Sequence, residues 1–121
     1  MSYFRLPVVS MTAQDKNLGL RVYCARSFLS RTLGLLCARP LQTGEALWLE
    51  PCGSVHTLGM NYAIDVVFLD RERRIVDQVE SLPPSRLAGR RLARSVLELP
   101  ARAARGLGLE RGMELRVGEV S

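Results

Sequence analysis

One stretch of the chain, from Trp48 to Asp70, constrains the fold more than any other because it combines a kink with a dense hydrophobic run. It reads WLEPCGSVHTLGMNYAIDVVFLD and holds the only Trp and the only His of the chain. Proline and glycine at 51–53 predict a kink between two strands. The run at 64–69 is apolar at nearly every position, which is typical of a strand buried on both faces. The stretch therefore predicts a strand, a kink, a second strand, a turn and a central strand.

Strand-like patterns recur on both sides of this stretch, separated by short connections and without a regular alternation of strands and helices. Further strands are predicted at 3–9, 18–24, 46–50, 74–80, 95–99 and 113–117. One long helix is predicted over 27–37, where Ser27 provides an N-cap and apolar residues recur at helical spacing. A short second helix is predicted to open at Pro100. The fold class that follows is mainly β, a compact barrel or sandwich of about seven strands with one covering helix.

The size of the chain predicts a single domain, residues 1–121. A chain of this length buries about two thirds of its unfolded surface, so it needs neither a disulfide nor a metal ion to fold. The N-terminus lacks the apolar core of a signal peptide, and no stretch approaches the length of a membrane span. Three widely spaced cysteines favour reduced thiols. We expect a soluble, cytoplasmic protein with no membrane partner.

Positive charge is concentrated in one segment, residues 85–105. Six arginines and one acid lie there, whereas the rest of the chain carries eleven bases and eleven acids, so this segment accounts for the net charge of +5. A codon bias explains arginine richness as well as a binding role does. The predicted anion- or partner-binding surface consists of Arg86, Arg90, Arg91 and Arg94. Nucleic-acid binding through Arg86–Arg105 ranks lower, because all seven aromatic residues precede this segment and offer it no stacking rings.

The candidate polar site rests on a predicted hairpin. If Val55–Leu58 and Ile64–Leu69 pair around a turn at 59–62, His56 faces Asp65. The Cβ atoms of such a pair lie about 5 Å apart, close enough for the carboxylate to fix the imidazole tautomer. The same pair would equally serve as a polar lock of the hairpin register. The predicted ligand-binding residues are Ser54, His56, Thr57, Met60, Asn61 and Asp65.

Two other constellations of polar side chains rank lower. Cys52 and His56 have the residue types of a nucleophile and its base, but residues four apart in one regular strand are separated by about 13 Å. Cys24, Cys37, Cys52 and His56 have the ligand types of a zinc site, but they lack the close cysteine pair of structural zinc. We therefore predict no catalytic residue, no metal and no cofactor.

Bulky and charged side chains within the predicted strands carry separate predictions. Trp48 and Phe68 have the size and setting of core residues rather than of a ligand platform. Glu98 interrupts an otherwise apolar strand. We predict that it pairs with Arg94 or another arginine across the sheet, or that it faces water.

Several motifs of the chain belong together. They are Pro51-Cys52-x-Ser54-Val55-His56-Thr57-x-x-Met60, Ile64-Asp65-Val66-Val67-Phe68-Leu69-Asp70, Arg31-x-x-Gly34-Leu35-Leu36, Gly44-Glu45-Ala46-Leu47-Trp48-Leu49, Val96-Leu97-Glu98-Leu99-Pro100, and Gly108-Leu109 with Gly112. In this order and spacing the chain resembles a bacterial and archaeal family known as domain of unknown function 192, over about residues 20–117, with 1–17 as an N-terminal arm. The resemblance implies a compact, mainly β domain and brings no activity, cofactor or catalytic residue. One departure is Ala101-Arg102, where the family usually has a small residue followed by Gly.

The function these patterns favour is a non-catalytic module that binds a protein partner or a small polar or anionic ligand. The alternatives are a small hydrolase or transferase using His56 oriented by Asp65, and nucleic-acid association through the arginine segment. An enzyme requires a pocket that holds His56 beside a nucleophile or a metal. A protein-interaction module requires instead an exposed apolar patch. The sequence leaves the oligomeric state, the ligand and the pathway open.

Overall fold

The computed structural model describes residues 6–25 and 40–120, with the side chains of 119 and 120 excepted. Its strands are β1 (Val8–Ala13), β2 (Lys16–Asn17), β3 (Arg21–Ala25), β4 (Glu45–Leu49), β5 (Ser54–His56), β6 (Ile64–Leu69), β7 (Ile75–Leu82), β8 (Leu87–Gly89), β9 (Ser95–Pro100) and β10 (Leu115–Val120). One short helix, α1 (Ala103–Gly106), precedes β10. The helix predicted over 27–37 lies outside the described residues. In the part of the chain that is described, no helix combines the length and apolar character that crossing a membrane requires.

Seven strands form one curled sheet in the order β10-β1-β3-β4-β9-β6-β7, and β2 pairs with β1 beside it. The predicted mainly β fold is confirmed, and the sheet has the form of a half-barrel. All neighbours in this sheet are antiparallel except β3 and β4, which run parallel with Val22 beside Ala46. Parallel neighbours need a crossover connection, here residues 26–44. The sequence predicts a helix at 27–37 between the strands at 18–24 and 46–50, but it shows no regular strand–helix alternation, and the parallel pair was not predicted.

The two outer strands of the curled sheet meet at one end. Arg74 and Glu114 form an isolated antiparallel bridge. The Ile75 N–H donates to the Met113 carbonyl at 2.8 Å, and the Leu115 N–H donates to the Arg73 carbonyl at 2.9 Å. These bonds satisfy backbone groups at sheet edges that would otherwise be open to pairing with another chain. The sheet is therefore closed at this end.

Apolar side chains cover both faces of the sheet, and the alternation along each strand assigns them to two clusters. The first, the Trp48-side cluster, includes Trp48, Val67 and Leu97. The second, the Phe68-side cluster, includes Phe68, Val66 and Val96. Every residue of β6 is buried, as predicted for a central strand, and Trp48 and Phe68 are confirmed as core residues.

Strand ends differ from the prediction where the local pattern was weak. The first described strand is β1 at 8–13, and of the strand predicted at 3–9 residues 6 and 7 lie outside it while 3–5 are not described; the last strand is β10 at 115–120 rather than 113–117. Pro100 ends β9 instead of opening the following helix, because its backbone continues the pairing with Ile64. β7 ends at Leu82, as predicted from the two prolines that follow it.

Candidate functional site

The predicted hairpin between 55–58 and 64–69 is wrong. β5 pairs instead with β8, as a separate two-stranded sheet that places Val55 beside Ala88 and His56 beside Leu87. β6 lies between β7 and β9. The bend before β5 explains the difference, because it directs the chain to segment 85–94, where the Cys52 N–H donates to the Arg94 carbonyl at 3.0 Å. We call residues 52–58 and 85–94 together the ribbon.

Asp65 is fully buried and does not orient His56. Its Oδ1 accepts the N–H groups of Ser81 at 2.8 Å and Arg102 at 3.0 Å. Its Oδ2 accepts the N–H of Ala104 at 2.9 Å. The predicted His56–Asp65 pair is therefore wrong, since the carboxylate connects the end of β7 to the start of α1. Buried carboxylates with several charge-assisted bonds of this kind hold a fold together.

Two of the three residues that donate to Asp65 have left-handed backbone conformations. Ser81 has φ 51° and Arg102 has φ 75°, a region that residues with a Cβ occupy at a cost. Arg102 is the position at which the resemblance places Gly. The Asp65 carboxylate is what holds an arginine in this conformation.

Arg102→Gly is expected to raise the free energy of unfolding by about 1 kcal/mol, or Tm by about 4 °C, because relief of left-handed strain exceeds the added entropy of an unfolded glycine. The matched control is Arg105→Gly inside α1, which should lower stability by about 1 kcal/mol because that position is helical. Thermal unfolding followed by circular dichroism measures both. A lower Tm for Arg102→Gly would contradict the strain argument.

Thr57 and His56 have different roles within the ribbon. Thr57 is fully buried; its Oγ1 donates to the Pro83 carbonyl at 2.6 Å and accepts the Arg86 N–H at 2.9 Å. Thr57 therefore fastens the ribbon to the rest of the domain from inside. His56 is half-buried, and none of the described residues forms a hydrogen bond with its buried Nδ1. An unbonded polar atom of this kind is rare in a native interior.

The outer face of the ribbon forms a shallow hollow of about 300 Å³. Alternation puts Val55 into the Phe68-side cluster and leaves Ser54 and His56 on the outer face. Of the other predicted site residues, Met60 packs against the Phe68-side cluster, whereas Asn61 is exposed. Of the six predicted residues, Ser54 and His56 are thus on the ribbon surface and Asn61 is exposed outside the ribbon, whereas the other three side chains pack or bond inside the protein.

The four predicted surface arginines also divide. The Arg90 Nε donates to Asp77 Oδ2 at 2.6 Å, and its guanidinium lies 5.0 Å from the centre of the Phe68 ring. The hydrogen bond from Arg90, followed by the N–H of Gln78, lowers the pKa of Asp77. Arg90 therefore has a structural role, since it connects the ribbon to Asp77 of β7 and to Phe68 of β6. Arg86, Arg91 and Arg94 are exposed and make hydrogen bonds only to nearby backbone carbonyls, or none, among the described residues.

Exposed leucines on the ribbon were missed by the sequence reasoning. The exposed large hydrophobic residues of the described chain are Leu58 at 50%, Leu87 at 76% and Leu92 at 67%. All three belong to the ribbon, and two directly follow an arginine, as Arg86-Leu87 and Arg91-Leu92. The repeated Arg-Leu pair, in a segment with no acid, is the signal that could have identified them.

Glu98 is a second buried carboxyl group and was predicted wrongly. It does not face water, and no arginine among the described residues pairs with it: it is 2% exposed in β9, between Leu47 of β4 and Val66 of β6. No described residue forms a hydrogen bond with its Oε2. Burial raises the pKa of Glu98 to about 8. Burial and, to a smaller extent, the nearby Glu98 also raise the pKa of Tyr62.

The zinc ligand set considered from the sequence is not brought together by the residues described. Cys24 is in the Trp48-side cluster, whereas Cys52 packs against the Phe68-side cluster across the sheet. The Cys52 thiol donates to the Ser54 carbonyl at 3.0 Å. Cys37 lies outside the described residues. Elsewhere in the described ranges, no three His, Cys, Asp or Glu side chains gather as metal ligands would.

Comparison with known proteins adds the family. The model of domain of unknown function 192, described as uncharacterized ACR, matches residues 9–117. The chain belongs to the DUF192 family. A UPF0127 protein of Pyrococcus furiosus is 30% identical to this DUF192 domain over 107 residues, which is 84% of this chain and 90% of the relative. The resemblance read from the sequence motifs is confirmed.

Two solved structures share the fold of this DUF192 domain. One is a protein of unknown function from Novosphingobium aromaticivorans DSM 12444, with a TM-score of 0.76 and 19% identity, covering 90% of this chain and 83% of the other. The second comes from Sinorhizobium meliloti 1021 and has been proposed to be a transcription regulator; its TM-score is 0.76 at 19% identity, with 92% of each chain covered. At this identity the likeness establishes the fold alone.

Proposed function

We propose that this DUF192 domain is a non-catalytic cytoplasmic module that binds an acidic, leucine-accepting segment of a protein partner on the outer face of the ribbon. The observation that carries the proposal is the concentration, on one two-stranded element, of exposed leucines and of arginines that form no ion pair with any described residue. Exposed apolar side chains that cluster rather than scatter mark interaction surfaces.

The leucines are distributed along the whole ribbon. Backbone pairing runs from Cys52 with Arg94 at one end to Thr57 with Ser85 at the other. Leu92 lies near the first end, whereas Leu87, opposite His56, lies beside the second end, which Leu58 follows. A partner segment that follows the ribbon would meet apolar side chains at each of these places.

Charge determines the kind of partner. The ranges 52–60 and 83–94 contain four arginines and one histidine and no Asp or Glu. Asp77 of β7 neutralises Arg90, which leaves Arg86, Arg91 and Arg94 as positive groups beside the leucines. Complementary charge steers encounter and sets specificity, and exposed leucines supply the buried apolar area. A partner with both acidic and apolar side chains matches this surface.

The two alternative functions receive less support from the same residues. The enzyme alternative loses its orienting carboxylate, because Asp65 is engaged by three backbone N–H groups. Binding of single-stranded nucleic acid favours stacking rings among the basic residues, and the ribbon contains none. The Sinorhizobium meliloti neighbour, proposed to be a transcription regulator, makes duplex DNA a necessary arm of the test.

A photo-cross-linking amino acid at Leu87, with Arg116 on β10 as the control position, tests the proposal in extracts of cells that naturally contain the protein. The protein captured at 87 and not at 116 is identified and purified, and its Kd is measured. We expect Leu87→Ser and the double variant R86E/R91E each to weaken binding at least tenfold, with R116E unchanged.

Binding measurements with other classes of ligand test whether the ribbon prefers a protein partner. A duplex DNA and vesicles containing an anionic lipid are tested with the same variants over a range of salt concentration. Equal capture at both positions, or none, contradicts the proposal, as does a Kd that the ribbon variants leave unchanged. Tighter binding of the DNA or the vesicles than of the identified protein would also overturn it.

A further inference from the structure

A second hollow lies away from the ribbon, between the turn at 18–20, the turn at 43–45 and the segment 100–107. Its volume is about 380 Å³. Leu18, Leu20, Ala103 and Leu107 line it and pack against the edge of the Trp48-side cluster. Ligand sites of small molecules have this character, an apolar concavity with few polar groups, and they occur at the mouths of β-barrels.

We propose that this hollow binds a small apolar carboxylate, whose hydrocarbon part lies against the leucines and whose anionic group pairs with Arg102. The proposal is independent of partner binding at the ribbon. It assigns a ligand class to a part of the molecule that the sequence analysis did not predict as a binding site.

The position of Arg102 carries the argument. It lines the hollow and is exposed, and no described residue forms an ion pair or a hydrogen bond with its guanidinium. Its backbone has φ 75°, a conformation that Gly adopts without strain. The fold therefore does not require an arginine here, and strained residues of this kind concentrate at binding and catalytic sites. A cation that the fold does not need, at the rim of an apolar hollow, favours an anionic ligand.

The other charged residue of the hollow is already bonded. Glu45 Oε2 accepts the Tyr23 hydroxyl at 3.0 Å, and Glu45 Oε1 accepts the Gln42 N–H at 2.8 Å. Both carboxylate oxygens are thus held, one by Tyr23 of β3 and the other by the backbone of Gln42 just before β4. Arg102 is the ionic group left to recognise a ligand, and a carboxylate matches the planar fork of its guanidinium.

The volume limits the ligand to a small molecule. Known small-molecule sites occupy roughly 300–1,000 Å³, and this hollow is near the lower end. An unbranched fatty acid of medium length or a single-ring acid has a suitable size. Octanoate and phenylacetate are therefore the probes, 1-octanol lacks the charge, and acetate lacks the apolar part.

Titration of the full ¹⁵N-labelled chain with these four probes tests the proposal. We expect octanoate or phenylacetate to shift the amide signals of 18–20, 43–45 and 100–107, and 1-octanol and acetate to bind at least tenfold more weakly. Arg102→Gly and Arg102→Gln should each weaken binding of octanoate or phenylacetate at least tenfold. Arg102→Lys should keep part of the affinity. Arg105→Gln is the matched control, since Arg105 lies in the same segment but does not line the hollow.

The two neutral variants separate binding from folding. Arg102→Gly is expected to be more stable than the wild type, so weaker binding in that variant cannot arise from unfolding. Binding of neither acid, binding of 1-octanol as tight as octanoate, or unchanged affinity in both neutral variants would each overturn the proposal. Leu87→Ser should bind octanoate like the wild type, which keeps this result separate from the function proposed for the ribbon.

Discussion

Glu98→Gln is expected to stabilise the domain by about 3 kcal/mol at pH 7, the free energy of holding a carboxyl group protonated that is ionised in the unfolded chain. Burial raises the pKa of Glu98 to about 8 in the folded domain, against 4.5 for an unperturbed glutamate side chain. Glutamine keeps the shape of the side chain and is neutral at every pH. The penalty disappears in the variant because no proton has to be taken up on folding.

The pH dependence follows with a definite sign. Between pH 4.5 and about pH 8 the folded state binds a proton at Glu98 that the unfolded state does not, so the stability of the wild type falls as pH rises through this window. The loss amounts to about 5 kcal/mol across the window. Wild type and Glu98→Gln should be about equally stable near pH 4, where the acid is neutral in both states.

Urea unfolding of both proteins from pH 4 to pH 9 measures this difference. Subtraction of the two curves removes every other titrating group, and Glu114→Gln on the surface is the control for a general charge effect. Parallel stability curves for wild type and Glu98→Gln would show that Glu98 does not keep its proton in the folded domain.

Asp65→Asn is expected to destabilise the domain by about 4 kcal/mol, because three backbone N–H groups, one buried and two partly buried, lose a charged acceptor that is itself fully buried. An asparagine has one acceptor oxygen, so its amide nitrogen must face either the Arg102 and Ser81 donors or the Ala104 donor. In either orientation the asparagine NH2 group faces at least one backbone N–H group, and that backbone donor has lost its acceptor. The same reasoning places the local effect at α1 and at the end of β7.

Chemical unfolding and amide hydrogen exchange of Ala104 test this prediction together. The matched control is Asp77→Asn, which removes ion pairs with Arg90 and Arg111 at a partly exposed carboxylate and should cost about 1 kcal/mol or less. A loss below about 1 kcal/mol for Asp65→Asn, or unchanged exchange at Ala104, would contradict the role given to Asp65.

These two acids show how differently a buried carboxyl group can be treated within one sheet. They lie on the adjacent strands β6 and β9, one step apart in register, since Asp65 pairs with Leu99 and Val66 with Glu98. Asp65 has three backbone donors, whereas the Oε2 of Glu98 has none among the described residues. Hydrogen bonds to the charged form favour ionisation and burial without them opposes it. One acid therefore stabilises the fold and the other destabilises it at neutral pH.

The sequence determined the features that depend on local patterns. The run at 64–69 predicted a central strand, and Trp48 and Phe68 were assigned to the core correctly, because apolar density and side-chain size are properties of neighbouring residues. The motifs also predicted the family. Departure from the family at Arg102 was visible in the sequence, although its meaning needed the backbone angle.

Pairing between distant segments was decided by the tertiary structure alone. The segment Leu87–Gly89 has no strand pattern of its own and becomes β8 only because β5 turns out of the main sheet toward it. The parallel pair β3–β4 depends in the same way on a connection whose geometry no local pattern records. In the sequence, the nearest strand with which β5 could form a hairpin is β6. The bend at 51–53 directs β5 to β8 instead.

The candidate sites show the same division. Asp65 was recognised as a polar group in an apolar strand, but its partners are backbone N–H groups at 81, 102 and 104, which every residue type except proline possesses and which no side-chain pattern can reveal. Residue identity determined which side chains can ionise, which can be buried and which can form ion pairs or hydrogen bonds. The arrangement of the folded backbone decided which of them face water, which face one another and which are left exposed for a partner, because those contacts join positions that are far apart along the chain.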